Sequence, residues 1–399
     1  MRSSAQLKIP HYYWLEGLSA VNCTIFTMCL FFWTRERFAF SDATNLLLAS
    51  VQGLVYLFST FFGGRLADRF GYDRTLIVCF AGMGATLVTG SFIPCLIMPF
   101  VALALYNLFV GPTWPSLEAA ILHSPGKLSM PNRLGIYNLS WSFGDGIGLF
   151  LSGFMFKWNP DSIFWLPGLI YLLTIPTIRW GPRNHDDEGV VAMEMPHTGD
   201  TIPKAQKRRF MQLGWLGNGL GFLMLAGFTA LAPQMSLRLG LPTEATLWLT
   251  CTLLFARGFA FLIFWKWEGW HYHMAWCQWA LWLAPLSLAI AFFAGNPAVV
   301  FGSLVVFGAS IGLSYSGSIY YSLDYGDNKG ELGGLHESIL GLGMFIGPLL
   351  AAGAAAMGHG ATSAQWTLII LSLGANAIGL AILNLKEPPP SEPACPAAR

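Results

Sequence analysis

The chain has 399 residues, of which 54% are apolar, 15% aromatic and 11% charged, and its formal net charge is +1. A water-soluble chain of this size carries roughly a quarter charged residues, so a surface solvated by water on all sides is excluded. The near-neutral balance gives no pull towards nucleic acid, and lipid is the solvent that the composition fits.

A helix needs about 20 mainly apolar residues to cross the hydrocarbon core. Runs of that kind fall at 12–34, 43–63, 75–94, 96–119, 134–157, 161–179, 210–235, 243–265, 274–294, 298–322, 334–357 and 364–385. The first follows Arg2 and Lys8 as a leader sequence would, but it is too long for one and has no small-residue cleavage site, so it is expected to remain as the first span. The expected fold class is an all-α polytopic membrane protein of twelve transmembrane helices in two pseudo-symmetric six-helix bundles. The division reads 1–179 for the N-terminal bundle, 180–209 for a cytoplasmic central loop, 210–386 for the C-terminal bundle and 387–399 for a disordered tail. Six of the seven cysteines lie in apolar runs and Cys395 in the Pro-rich tail, so they read as small hydrophobes. No metal spacing, phosphate-binding loop or nucleophile elbow is present; no cofactor, no metal and no enzymatic activity are expected.

Basic residues set the orientation. Seventeen of the 22 Lys and Arg fall in segments that share one face if the N-terminus is inside; Arg35, Arg37, Lys157 and Arg238 fall on the other, and Arg257 lies within a span. Both termini are therefore expected to be cytoplasmic. The densest charge is in the link after the second span, Gly63-Gly64-Arg65-Leu66-Ala67-Asp68-Arg69-Phe70-Gly71-Tyr72-Asp73-Arg74. Gly64 and Gly71 permit a tight turn and close helix approach. Asp68 is suited to accept from the free amides of a helix N-terminus.

The halves repeat. A shift of 199 residues places Gly135, Gly144 and Gly148 on Gly334, Gly343 and Gly347, and nearly the same shift places Asp68 beside Glu268. Related halves are a transporter feature, because substrate sites form between them.

With those residues in view, Gly64-x-Leu66-Ala67-Asp68-Arg69-x-Gly71-x-x-Arg74 resembles the signature between the second and third helices of the major facilitator superfamily. Tyr72 and Asp73 stand where that family usually has basic residues. The resemblance implies that Asp68 faces the start of the eleventh span, Gly333-Gly334-Leu335-His336, as a cytoplasmic latch between the halves. Gly135-x8-Gly144-x3-Gly148 is similar to the fifth-helix pattern of drug–proton antiporters, with Leu149 in place of their Pro. Their fourth-helix Arg and Gln correspond to Asn107 and Val110. The glycines are expected to pack spans closely where the halves seal or rock.

Ionisable groups at membrane depth are costly and are functional candidates by default. Asp145 lies midway along the fifth span, on one face with Asn138 and Trp141, and is suited to bind a cation or carry a proton. Arg257 is expected to snorkel or to pair with an acid such as Glu337. His336 and Glu337 are read as opening the eleventh span near the surface. Glu16 and Glu118 read as interfacial, and Asn22, Gln52, Asn107 and Asn218 as ligands or helix–helix glue. Trp114, between Pro112 and Pro115 in a broken fourth span, is a candidate cavity residue, with Tyr315, Tyr320 and Tyr321. Trp265, Trp267 and Trp270 read as an interfacial belt.

The function expected is secondary active transport of a small molecule across the cytoplasmic membrane by alternating access, coupled to an ion or proton, with export favoured. Uptake of a metabolite such as a sugar or organic ion is the alternative, and a non-transporting sensor or lipid flippase the alternative of another class. The expected partners are the substrate, the bilayer and coupling protons, with the protein a monomer.

Overall fold

The computed structural model describes residues 7–123, 128–183, 202–325 and 329–385. The expected tail at 387–399 and the middle of the 180–209 connector lie outside the described residues. Within them the chain forms twelve α-helices: α1 Ile9–Phe38, α2 Asp42–Phe70, α3 Tyr72–Gly90, α4 Met98–His123, α5 Met130–Trp158, α6 Ser162–Trp180, α7 Lys204–Leu239, α8 Thr243–Lys266, α9 Met274–Phe293, α10 Pro297–Tyr325, α11 Lys329–Ala354 and α12 Gly360–Leu385. Ten are long and apolar enough to cross a membrane by length and composition; α3 and α5 fall short. α5 carries Arg133, Asp145 and Lys157 among its glycines, asparagines and serines.

The termini of these helices follow local chemistry. Ser41 caps α2 by accepting from the Thr44 amide at 3.2 Å. Pro10 and Pro131 sit in the first turns of α1 and α5, where a missing N–H is harmless. α11 ends in one wide turn, Ala355–His359, broken by Gly358 at φ +97° before α12.

Packing repeats between the halves. α1 lies on α5 and α7 on α11; α2 lies on α4 and α8 on α10; α3 joins α4 and α6 as α9 joins α10 and α12. The two bundles then meet along α2–α11 and α5–α8. The glycines common to both halves explain the first pair of contacts. A Cβ on Gly144 would stand 2.7 Å from the Gly17 carbonyl oxygen of α1, and one on Gly148 2.5 Å from that of Val21. In the second half a Cβ on Gly343 would stand 2.1 Å from the Gly219 oxygen of α7, and one on Gly347 2.4 Å from Leu223. These glycines therefore pack helices within each half, not across the joint as their spacing suggested. Across the joint, α8 uses aromatic rings instead: Trp265, Phe255 and Trp248 lie on Gly135, Gly146 and Gly153 of α5. Gly334 lies in α11, but its surroundings are outside the described residues.

The charged link is also shorter than its sequence suggested. α2 continues through Gly63 and Gly64 to Phe70, because no proline or positive φ intervenes; only Gly71, at φ +89°, makes the turn. Gly63 serves close approach, since a Cβ there would meet Pro112 at 2.6 Å. Likewise α4 is not broken at Pro112 and Pro115 but runs through both.

Candidate functional site

The site lies between the halves, midway along the helices, in a cavity of about 160 Å³. Its walls come from α1, α2, α4 and α5 on one side and α7, α8, α10 and α11 on the other. Several residues singled out from sequence line it: Asp145, Trp141, Asn107, Trp114, Arg257, Tyr315 and Glu337. Gln52, Tyr56, Tyr137, Thr24, Thr27, Thr229 and Glu16 are further polar groups of the lining.

Asp145 and Arg257 form one unit. Arg257 Nη2 donates to Asp145 Oδ2 at 2.6 Å, and its Nε donates to Ser142 Oγ at 3.1 Å. Its guanidinium lies 4.4 Å from the Trp141 ring centroid, a cation–π distance. Thr24 donates to the other carboxylate oxygen at 2.6 Å. Arg257 is 2% exposed, so it neither snorkels nor pairs with Glu337. The ion pair spans α5 and α8 and thus joins the halves. Asn138, also expected on this face, accepts from Trp141 Nε1 at 3.2 Å and steadies the indole.

A second bridge crosses the joint at Glu337, whose Oε2 accepts from Tyr56 on α2 at 2.8 Å. Glu337 and His336 do not open α11 near the surface. The helix begins at Lys329, and both side chains are buried. Ser318 Oγ lies 2.7 Å from His336 Nδ1, and Asn218 Nδ2 lies 3.5 Å from it. With Nδ1 accepting, the ring proton sits on Nε2, which has no hydrogen-bond partner among the described residues and stands 3.9 Å from Glu337 Oε1. The Tyr315 ring meets His336 edge-on at 4.8 Å and Trp141 at 5.2 Å.

Glu16 is the residue that sequence reasoning undervalued. It is wholly buried in the cavity wall, not interfacial. Neither carboxylate oxygen has a hydrogen-bond partner at bonding geometry among the described residues; Tyr137 is its polar neighbour. The charged groups that bear on it most are the acids Asp145, Glu118 and Glu337. With Asp145 engaged by Arg257, the cavity lining keeps two further buried carboxyl groups, Glu16 and Glu337, and no further basic side chain among the described residues.

Other candidates fall elsewhere. Asn22 is buried outside the cavity lining with both side-chain polar atoms unpaired among the described residues. Tyr320 and Tyr321 do not line the cavity; they join Trp270, His271 and Tyr272 in an aromatic cluster at the start of α9. Trp270 is buried there, donating to the Phe264 carbonyl at 2.9 Å, and so leaves the expected belt. Asp68 is exposed and accepts from Tyr72 at 3.3 Å, while the side chains of 329–334, where its latch partner was expected, lie outside the described residues. Arg69 lies over Phe70, with Arg74 on the next helix across Gly71. Asp73 has a structural role of its own, accepting from Tyr12 at 2.6 Å and pairing with Arg183 at 2.7 Å.

No curated protein matches this sequence significantly. Among solved structures, the fold resembles a point mutant of the nucleoside transporter NupG, with TM-score 0.72 and 12% identity over 95% of this chain and 100% of that one. It also resembles a bacterial homologue of the human lysosomal transporter Spinster in an inward-facing conformation, with TM-score 0.68 and 15% identity over 94% of this chain and 95% of that one. At these identities the likeness is one of fold. The Major Facilitator Superfamily model matches residues 15–348, most of the chain. With twelve helices, a repeated half and a cavity between the halves, this chain belongs to the Major Facilitator Superfamily.

Proposed function

We propose that the protein is a secondary transporter of the cytoplasmic membrane that exports a small, ring-bearing cationic solute in exchange for protons, with Glu16 and Glu337 as the shared acids. The observation that carries this is Glu16: a wholly buried carboxylate facing the cavity with no cation and no hydrogen bond at bonding geometry to compensate it among the described residues. An uncompensated buried charge costs several kcal/mol. A proton supplies the missing charge, and so does a cationic cargo, so the two compete for one place. Competition of that kind makes exchange obligatory, and an inward proton gradient then drives the cargo outward. The aromatic walls, Trp114, Trp141, Tyr56 and Tyr315, favour a flat, delocalised ring. NupG, whose fold is similar, carries nucleosides, which are ring-bearing solutes.

The cavity is smaller than the roughly 300–1,000 Å³ of a ligand pocket. It suits a contracted state, in which Asp145–Arg257 and Tyr56–Glu337 hold the halves together and loading requires them to part. Asp68 is proposed as the latch of the face that carries the basic links. A second reading, uptake of a neutral metabolite, draws on the amides of Gln52 and Asn107 in the lining. Retention of buried acids around a central cavity supports small-molecule transport over a sensor or a flippase.

The test is a screen of organic cations, nucleosides and sugars in proteoliposomes with and without an imposed pH gradient. The proposal expects a cation to move against its gradient towards the acidic side. Transport of a neutral solute alone, indifferent to the pH gradient, would contradict it.

A further inference from the structure

A groove of about 850 Å³ runs down the outside of the first half between α2, α3 and α4. Its walls are apolar side chains that are themselves exposed, among them Phe58, Phe62, Phe70, Val78 and Leu108. It extends from Leu54, at mid-helix, to Arg74, just past the Gly71 turn. Ser59 and Thr75 also line it, but their hydroxyls are spent: Ser59 donates to the Asn107 carbonyl at 2.9 Å and Thr75 to the Gly71 carbonyl at 3.0 Å. Arg74 is exposed and has no ion pair or hydrogen bond among the described residues. The adjacent Asp73 does not neutralise it, being paired with Arg183. Arg65 and Arg69 stand along the same end of α2, stacked on Phe61 and Phe70 at 4.9 and 5.5 Å. One acid, Asp68, lies among them and is held by Tyr72.

A pocket of this volume could hold a drug-sized ligand, but such ligands need several placed polar groups, and among the described residues the lining offers one cation, Arg74, at the end of an oily trough. We propose that the groove binds an acidic phospholipid, its tail along the apolar wall and its phosphate at Arg74. Basic clusters beside a membrane-spanning helix attract anionic headgroups at about fivefold per residue. A zwitterionic headgroup brings its own cation towards three arginines and is disfavoured. The site lies on the lipid-facing side of the half and is independent of the cargo.

The test uses the full chain in phosphatidylcholine nanodiscs containing a minor fraction of phosphatidylglycerol with a photoreactive group on its tail. The proposal expects label on the α2 and α4 peptides that carry Phe58 and Leu108. Arg74→Gln should reduce that label about fivefold, and Val78→Trp, which fills the groove, should reduce it as well. Val299→Trp, on the exposed face of α10, should leave it unchanged. Equal labelling in Arg74→Gln and Val78→Trp, label spread evenly over the lipid-facing helices, or equal labelling by photoreactive phosphatidylcholine would each overturn the proposal. Val78→Trp leaves every basic residue in place, so it keeps the test decisive if Arg74→Gln fails to fold.

Discussion

Arg257 holds its charge in the joint between two bundles, where it touches Asp145, Ser142 and the Trp141 ring. Breaking a buried pair strands a charge at a cost of about 3–5 kcal/mol, whereas removing both charges strands neither. Asp145→Asn or Arg257→Gln alone is therefore expected to lower thermal stability in detergent markedly, and the double variant to recover most of the loss. A double variant no more stable than the sum of the singles would show that the pair is not a unit. Glu16→Gln, which mimics the protonated side chain that the cargo-free cavity holds, should by contrast leave stability close to that of the unmodified protein. Much of this scale was legible: a lone Asp and a lone Arg at membrane depth are conspicuous in an apolar chain. Their pairing was not, because 112 residues separate them and only the meeting of α5 with α8 brings them within 2.6 Å. Glu16 was misread because its span was started at 12; α1 in fact begins at Ile9 and the side chain turns into the cavity wall.

Glycine placement decides how closely the helices approach. In α11, a Cβ on Gly343 would fall 2.1 Å from a backbone oxygen of α7, whereas one on Gly353 meets nothing within 4 Å. Gly343→Ala is expected to destabilise by about 1–3 kcal/mol through overpacking, and Gly353→Ala to be neutral or slightly stabilising, since Ala is the better helix former. Thermal melting of the two variants side by side checks this, and equal effects would deny that Gly343 is a contact glycine. The spacing that matches these glycines between halves was readable in the sequence. Their partners were not, because a small-residue stripe says that some backbone comes near without saying whose. The Gly63–Arg74 stretch shows the same limit: its charges marked the link correctly, but two glycines inside a helix look the same in sequence as two in a turn. For Asp68, Asp68→Asn is expected to leave expression intact and to cut transport sharply; normal kinetics would remove the latch role.

The whole molecule is tied at both ends of the joint. On the face of the α1–α2 link, Gln234 donates to Asp42 at 2.5 Å and Thr243 to Glu36 at 2.6 Å. On the opposite face Trp265 donates to Asn132 at 3.2 Å. Alternating access needs these bridges to open in turn. Cysteines at Glu36 and Thr243, in a chain with Cys95 and the tail residue Cys395 replaced, are expected to be joined by a short bifunctional thiol reagent; transport should stop and return on cleavage of the linker. Full transport in the joined protein would mean that this face need not open. The twelve helices and their grouping follow from hydropathy and the repeat alone, since lipid leaves few ways to satisfy a backbone. The cavity's charge balance does not, because it depends on which buried acids find partners.

The account turns on protons and a cationic cargo competing for Glu16 and Glu337, and proton release measures that competition directly. Purified protein in weakly buffered detergent solution is mixed with a cation identified by the transport screen, and the pH is followed. The account predicts a stoichiometric release of protons as the cation binds, reduced in Glu16→Gln while binding persists. Saturable binding of the cation with no proton released from the unmodified protein would contradict it.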